Sequence, residues 1–193
     1  RSGQVEWMQK DPRTYLAEDG VAFTPAGDLV GVTGNSLLQV IAPDGKVRFE
    51  YGSWIEKRLD QATPEEADEA RRSGNMASCG LPALSPDGKA IYWAGRDGKV
   101  RAVDLEGNKL WTAEVPHRDG YAGEMDVSVG RDGLLYCANS KGLSALSPQG
   151  ELLWRYETND KYAYATLSED KVILNTYSGE VFCLDCGSLS ERA

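Results

Sequence analysis

Cysteine and histidine are the scarcest of the residues that could do chemistry in this chain. The four cysteines stand at positions 79, 137, 183 and 186, and the last two have the Cys-x-x-Cys spacing of redox and metal-binding pairs. A zinc site needs a second pair at such spacing, and Cys79 and Cys137 are isolated. We therefore predict no metal site. The cysteines favour buried thiols or an occasional disulfide, and which of them pair is left open.

The single histidine, His117, lies in the segment PHRDGYAGE. No nucleophile or partner base accompanies it, and no Gly-x-Ser-x-Gly or phosphate-loop motif occurs, so we predict no catalytic residue and lean against an enzyme. Tyrosine side chains in such connections suit contact with a protein or a carbohydrate, and packing between strands is the equal alternative. For His117, with Arg118 beside it, a solvated loop position is the favoured interpretation and a binding role is the alternative. The candidate binding face comprises Tyr15, His117, Arg118, Tyr121, Tyr162 and Tyr164.

Four aspartates that lie beside glycines are candidate calcium ligands. No Asp-x-Asp-x-Asp-Gly loop is present, and aspartate beside glycine is the usual composition of a tight turn. We therefore assign a turn-forming role to Asp87, Asp97, Asp119 and Asp132.

Composition excludes several classes of partner. The formal net charge of −9 argues against nucleic acid, which binds basic surfaces. No apolar run approaches the roughly 20 residues of a membrane span, and the first residues lack the apolar core of a signal peptide. Because the chain begins with Arg1, we expect a mature form, an excised domain or a fragment.

A repeat sets the positions of all these residues. Glycine precedes an aromatic residue by four positions in GQVEW (3–7), GKVRF (45–49), GNKLW (107–111) and GELLW (150–154), and GSLSE (187–191) keeps only the glycine. We expect these aromatic rings to fill equivalent places between stacked sheets. They are Trp7, Phe49, Trp111 and Trp154.

Upstream of each glycine lies a second repeated strip, in which two apolar runs flank a small turn. The strips LVGVTGNSLLQV (29–40), IYWAGRDGKVRA (91–102), LYCANSKGLSAL (135–146) and ILNTYSGEVFCL (173–184) predict hairpins, with turns on Gly98, Gly142 and Gly179. A small residue recurs in the third strand, where we expect a crowded position. It is Val40, Ala102, Ala145 and Cys183.

A further turn and a short strand precede each hairpin, so one unit contains four strands in about 40 residues. Strand count and period predict an all-β fold, a β-propeller of four-stranded antiparallel blades, with about four blades in one domain over residues 1–193. Two arrangements stay open. Either the N-terminal strand pairs beside residues 181–185 and closes a four-bladed ring, or the chain is part of a seven- or eight-bladed propeller that further sequence or a homodimer completes.

The segment 52–79, between the first and second blades, interrupts the β pattern. It predicts a short helix with Thr63 as N-cap, Pro64 at the first position and Glu66 in a capping box, ended by Gly74. Because the helix is polar on nearly all sides, we expect it at the surface. Its role, as a binding element or as a solvated decoration, is left open.

The units VRAVDLEGNKLW, LSALSPQGELLW and VFCLDCGSL resemble the pyrroloquinoline-quinone (PQQ)-type propeller repeat. The second unit carries the pattern of that repeat, and the third carries most of it. The matching residues of the second unit are Asp87, Gly88, Tyr92, Ala102, Asp104, Gly107 and Trp111. The resemblance covers nearly the whole chain outside 52–79.

The resemblance implies a function only in outline. The family includes quinone-dependent dehydrogenases, assembly scaffolds and sensor domains, and this sequence lacks the adjacent cysteine pair common in the dehydrogenases. We therefore predict a non-catalytic binding or scaffold propeller with a protein partner and no cofactor. The alternatives are a fragment of a quinone-dependent oxidoreductase, with quinone and calcium, and a structural module of a surface or filament assembly. Relatives are mostly exported, which implies an extracytoplasmic location, with the cytoplasm as alternative.

Overall fold

Four antiparallel sheets follow one another along the chain. The computed structural model describes residues 7–8, 16–33, 37–72, 80–118, 125–160, 163–168 and 171–185, with the backbone alone for 16–19. Sheet one consists of β1 (Leu16–Phe23), β2 (Leu29–Thr33), β3 (Leu37–Ile41), β4 (Val47–Gly52) and β5 (Lys57–Arg58). Sheet two consists of β6 (Ala83–Leu84), β7 (Ala90–Ala94), β8 (Lys99–Asp104) and β9 (Lys109–Glu114).

The second half of the chain repeats this arrangement. Sheet three consists of β10 (Asp126–Val129), β11 (Leu135–Asn139), β12 (Gly142–Leu146) and β13 (Leu152–Glu157). Sheet four consists of β14 (Ala163–Ser168), β15 (Lys171–Thr176) and β16 (Val181–Asp185). Within each sheet, every strand pairs with the next strand along the chain, so every sheet is a meander. The predicted hairpins are therefore confirmed, and the predicted copies at 3–6 and 187–191 lie outside the described residues.

Strand register repeats from sheet to sheet. The small residue of the third strand faces the aromatic residue of the fourth strand in the pairs Val40–Phe49, Ala102–Trp111 and Ala145–Trp154. Each of these strand pairs has a bulge just after the small residue. The hairpin of sheet three is one residue shorter than that of sheet two, because Tyr136 faces Ala145 whereas Tyr92 faces Ala102.

The hydrophobic core lies between consecutive sheets. One cluster joins sheets one and two through Leu38, Tyr51 and Trp93, and the next joins sheets two and three. A third cluster joins sheets three and four through Tyr136 and Leu174. Because each sheet alternates its side chains between two neighbours, the sheets stack in chain order, as blades of a propeller do.

Aromatic residues of one sheet pack on glycine turns of the next sheet. The indole Nε1 of Trp111 donates to the carbonyl of Pro148 at 2.9 Å, and a β-carbon placed on Gly150 would lie 2.7 Å from the ring. Trp7 makes the same two contacts with sheet one, at 3.0 Å to the Pro43 carbonyl and against Gly45. The predicted equivalence of these rings is confirmed for both tryptophans.

Phe49 occupies the same kind of position, against Gly107 of sheet two, with the guanidinium of Arg58 5.3 Å from its ring centroid. Trp154 packs beside Tyr136, with ring centroids 6.1 Å apart, as Trp111 packs beside Tyr92 at 5.7 Å. Its buried Nε1 has no hydrogen-bond partner among the described residues. Phe49 therefore confirms the pattern, and for Trp154 the corresponding turn of sheet four lies outside the described residues.

The insertion forms helix α1 (Pro64–Arg72), after a 3₁₀ turn at Leu59–Gln61. The capping box is present, since the Thr63 amide donates to Glu66 at 2.9 Å and the Glu66 amide donates to Thr63 Oγ1 at 3.2 Å. Two details differ from prediction. Residues 57–58 extend sheet one as β5, and Ala67 and Ala70 are buried against Leu37. Alanine supplies too little apolar surface to mark a buried face in a polar helix.

Sheet four has one covered face and one exposed face. Its far face, which points away from sheet three, carries Tyr164, Ile173, Val181 and Cys183. Val181 is 68% exposed, and no hydrophobic cluster of described residues joins sheet four to sheet one. No helix in the described part of the chain is long and apolar enough to span a membrane.

Candidate protein-binding face

Each sheet presents different connections at its two ends. At one end lie the turns between second and third strands, together with the connections that lead from each fourth strand to the next sheet. We call this end the connection face, and its described parts include residues 53–56, 95–98, 115–118 and 139–141. The turns between first and second strands and between third and fourth strands lie at the opposite end. Three predicted site residues, His117, Arg118 and Tyr164, can be located, whereas Tyr15, Tyr121 and Tyr162 lie outside the described residues.

The connection that carries His117 is fixed to both neighbouring hairpins. The Val115 amide donates to the Gly98 carbonyl of sheet two at 2.8 Å. On the other side, Asn139 Nδ2 of sheet three donates to the Pro116 carbonyl at 3.0 Å, and the Arg118 amide reaches Ser140 Oγ at 3.5 Å. Because these bonds join backbone to two separate sheets, residues 115–118 form a rigid bridge across the connection face.

His117 serves this bridge as a packed side chain. Its Nδ1 lies 3.0 Å from the Val115 carbonyl, which can only accept, so Nδ1 carries the proton. The ring covers Gly98, where an added β-carbon would lie 2.3 Å from ring atoms. The half-buried ring therefore holds the connection against the turn of sheet two.

Arg118 and Tyr164 stand apart from each other in the fold. Arg118 is exposed at the end of the bridge, beside the sheet-three hairpin. Tyr164 is the second residue of β14, opposite Asn175, and is 36% exposed on the far face of sheet four. The structure thus brings His117 and Arg118 together and places Tyr164 on a different surface.

A buried polar cluster, which sequence reasoning missed, lies beneath the connection face between sheets one and two. Arg101 is 3% exposed and its guanidinium forms two hydrogen bonds with the Asp97 carboxylate. Its Nε donates to the Ser53 carbonyl at 3.1 Å, and Trp93 Nε1 donates to Ser53 Oγ at 2.9 Å. The cluster ties the start of the insertion to sheet two. The one available signal was a charge, Arg101, in the middle of an apolar strand.

Tyr51 belongs to the same interface. Its ring meets Trp93 edge to face, with centroids 5.4 Å apart. Burial, and next the negative charge of Glu56, raise the pKa of Tyr51 to about 12. Glu56 itself adopts a positive φ of 52° and accepts a hydrogen bond from Lys109 Nζ. The first two sheets are therefore joined by polar as well as apolar contacts near the connection face.

A shallow groove of about 580 Å³ lies at the opposite end, between sheets two and three. Its carboxylates are engaged in their own turns: Asp87 accepts from Ser85 Oγ at 2.6 Å, and Asp132 accepts from the Leu134 amide at 3.0 Å. The bond from Ser85 holds the pKa of Asp87 below its usual value. The turn-forming role is confirmed for these two aspartates, and no group of three potential metal ligands occurs among the described residues.

The described thiols differ in environment. Cys137 is completely buried, and burial raises its pKa. Cys183 is exposed on the far face of sheet four, opposite Ile173, and both cysteines are free thiols. Cys79 and Cys186 lie outside the described residues. The prediction that Cys183 takes the small third-strand position is confirmed by register, whereas its exposure contrasts with the buried Ala102 and Ala145.

A family profile described as outer membrane protein assembly factor BamB, of the PQQ repeat type, matches residues 96–189. This match confirms the predicted repeat family for that part of the chain. No curated protein sequence matches the chain significantly.

Solved structures support the fold. BamB from Moraxella catarrhalis is similar at a TM-score of 0.58 and 18% identity, over 86% of this chain and 44% of that one. The C-terminal WD40 domain of Sif2 is similar at a TM-score of 0.63 and 14% identity, over 88% of this chain and 43% of that one. The computationally designed Ika4 protein is similar at a TM-score of 0.67 and 9% identity, over 96% of this chain and 99% of that one.

These likenesses confirm an all-β propeller architecture, and the profile match confirms PQQ-type repeats over residues 96–189. Because the identities are low, they bear on fold and not on activity. The chain spans less than half the length of the BamB and Sif2 chains that it matches. The predicted choice between a closed four-bladed ring and part of a larger ring therefore stays open.

Proposed function

We propose that this chain, whose residues 96–189 are repeats of the PQQ type, is a non-catalytic scaffold that binds a protein partner through its connection face. The observation that carries the proposal is the bridge at residues 115–118, which hydrogen bonds fix to sheets two and three. A rigid backbone lowers the entropy that a binding surface loses when a partner docks. Arg118 stands exposed on this bridge, and arginine is enriched among the residues that dominate binding energy.

The kind of partner is proposed by analogy. The matching family profile is described as a factor for outer membrane protein assembly, and propellers of several families carry partners on one face. We extend this to the present chain as a protein partner in an extracytoplasmic compartment. The net charge of −9 favours partners other than nucleic acid.

A site-specific photocrosslinker tests the proposal. Placed at position 118, it should capture one reproducible protein in cells of the source organism. Placed at Lys46, whose side chain is 83% exposed in a turn at the opposite end, it should not capture that protein. Equal capture from both positions contradicts a connection-face interface.

Charge reversal then tests the identified complex. Arg118→Glu should raise the Kd of the captured partner about tenfold or more, the scale of one lost interfacial contact of about 1.4 kcal/mol. Lys46→Glu makes the same charge change at the other end and should leave Kd within about twofold. Similar losses in both variants would show long-range electrostatics rather than a local contact, and would reject the proposal.

A further inference from the structure

In the described part of the chain, sheet one alone has a fifth strand on its outer edge. This strand, β5, pairs antiparallel with β4, and Arg58 lies opposite Tyr51. Lys57 lies opposite Gly52, the last residue of β4. The guanidinium of Arg58 also lies 5.3 Å from the ring centroid of Phe49. The outer edge of a fourth strand in this molecule therefore accepts a further strand, and a Lys-Arg pair makes the contact.

The outer edge of β13 is the equivalent edge of sheet three, and no described strand lies beside it. In both β4 and β13 an aromatic residue is followed two positions later by a tyrosine, Tyr51 or Tyr156, which faces a leucine of the third strand. In β9 the same position is Ala113. Tyr51, beside β5, is 1% exposed, whereas Tyr156 is only half-buried. β13 therefore resembles β4 with its fifth strand removed.

The backbone of β13 can form the hydrogen bonds that an added strand needs. The Thr158 amide donates to the carbonyl of the residue before β12 at 3.0 Å, which sets the alternation of the ladder. By that alternation, the amides and carbonyls of Glu157 and Arg155 point away from β12. The equivalent outward carbonyl of sheet one belongs to Gly52 and accepts from the Glu56 amide at 2.8 Å. The open edge of β13 thus offers the groups that sheet one already uses.

The side chains along this edge favour a basic segment with apolar residues. In the register of β5, a lysine lies opposite Glu157 and an arginine lies opposite Tyr156. Glu157 forms a surface ion pair with Arg155, and opposite charges across paired strands stabilise the pairing. At the start of β13, Leu152 and Leu153 are 44% and 49% exposed. A segment that continues along β13 reaches these leucines three and four positions after its arginine.

We propose that the outer edge of β13 binds an extended segment of a protein partner that carries Lys-Arg followed by apolar residues. The segment adds a fifth strand to sheet three, antiparallel to β13, as β5 does in sheet one. β5 has the advantage of a short link to β4, which raises its effective concentration, and contact with the two exposed leucines replaces this advantage for a separate segment. This edge is distinct from the connection face, so the proposal does not depend on the proposed function.

A synthetic peptide, Thr-Lys-Arg-Thr-Thr-Val-Ile-Thr, tests the proposal, with the reversed sequence as a control of identical composition. In fluorescence anisotropy with the full chain, the first peptide should bind saturably with a Kd below about 1 mM, and the reversed peptide should bind at least about fivefold more weakly. The first peptide should also slow hydrogen exchange of the Arg155 and Glu157 amides, measured by NMR. It should leave exchange of the Tyr156 amide, which faces β12, unchanged.

Variants of the chain test the register. Glu157→Lys should raise the Kd of the first peptide about fivefold, because like charges then lie opposite each other. Glu114→Lys makes the same change at the equivalent exposed position of β9 and should leave Kd within about twofold. Arg155→Pro removes one outward amide, preserves the ladder with β12 and should abolish binding, with urea unfolding as the check that the variant is folded.

Three results overturn the proposal. The first is the absence of saturable binding below about 1 mM, and the second is protection of amides elsewhere than at Arg155 and Glu157. The third is an equal effect of Glu157→Lys and Glu114→Lys on Kd, which would show general electrostatic attraction to an acidic chain instead of pairing with β13.

Discussion

At the scale of single residues, glycine and aromatic side chains define the contact between sheets. Gly150 combines a φ of +86° with the Trp111 ring, which a β-carbon would approach to 2.7 Å. Gly133, in the same sheet, has nearly the same φ of +83° but only an ordinary contact at 3.6 Å, to Pro148. These two glycines separate the cost of the backbone conformation from the cost of the steric clash.

Gly133→Ala should therefore lower the free energy of unfolding by about 1–2 kcal/mol, the cost of a left-handed conformation for a residue with a β-carbon. Gly150→Ala should lower the free energy of unfolding by about 1–3 kcal/mol more than Gly133→Ala does, because the added methyl group displaces the Trp111 ring. Urea unfolding of the two variants gives both values. Equal losses would mean that the aromatic contact contributes nothing to stability.

The raised pKa of Tyr51 predicts that the free energy of unfolding depends on pH. Burial, followed by the charge of Glu56, raises its pKa to about 12, above the ordinary value of about 10 that applies in the unfolded chain. Below pH 10 both states are neutral at this residue, so its contribution is constant. Between about pH 10 and 12 the unfolded state ionises first, so the free energy of unfolding should fall as pH rises.

Tyr51→Phe should remove this part of the alkaline loss, and phenolate absorbance of the native protein should show one tyrosine fewer titrating at the highest pH. The difference between wild type and variant isolates Tyr51 from Tyr92, whose pKa burial also raises. If the free energy of unfolding fell equally steeply with pH in both proteins above pH 10, the alkaline loss of stability would belong to other groups.

Residue types alone predicted some of these contacts and missed others. Trp7 and Trp111 could be predicted because four-residue spacing from glycine recurs in the sequence. The bond of Arg101 to the Ser53 carbonyl could not, because it joins a strand of sheet two to a residue that follows sheet one, 48 positions earlier. His117 was correctly placed in a connection, but its packing on Gly98 depends on a hairpin 19 positions earlier.

At the scale of elements, the hairpins follow from local signals and the helix only in part. Turns on Gly98 and Gly179, flanked by apolar runs, specify strands without reference to the rest of the chain. The capping box at Thr63 specifies where α1 begins. Neither signal reveals that the helix packs on Leu37, since two alanines make that contact.

Glutamine introduced at a buried position and at an exposed position of α1 tests this packing. Ala70→Gln places a longer polar side chain where the alanine is 1% exposed, and should lower the free energy of unfolding by about 1–3 kcal/mol. Glu69→Gln introduces the same residue at an exposed position and should change it by less than about 0.5 kcal/mol. Chemical unfolding measures both changes in free energy. Equal changes would mean that α1 does not pack against sheet one.

At the scale of the whole molecule, each sheet is stabilised by its neighbours in chain order. Sheets two and three are covered on both faces by hydrophobic clusters, whereas sheet four is covered on one face. Local opening therefore costs less free energy in sheet four than in sheet three. Sequence repeats predicted the stacking, but they could not say which sheet would be left uncovered, because all units have the same apolar strip.

Hydrogen exchange tests this gradient. Amides of β15 should exchange about tenfold or more faster than those of β11, although both are central strands with partners on each side. The reason is that opening β15 breaks a hydrophobic cluster on one face of its sheet, whereas opening β11 breaks clusters on both faces. Exchange in β15 that is as slow as in β11 would mean that the far face of sheet four is covered in solution.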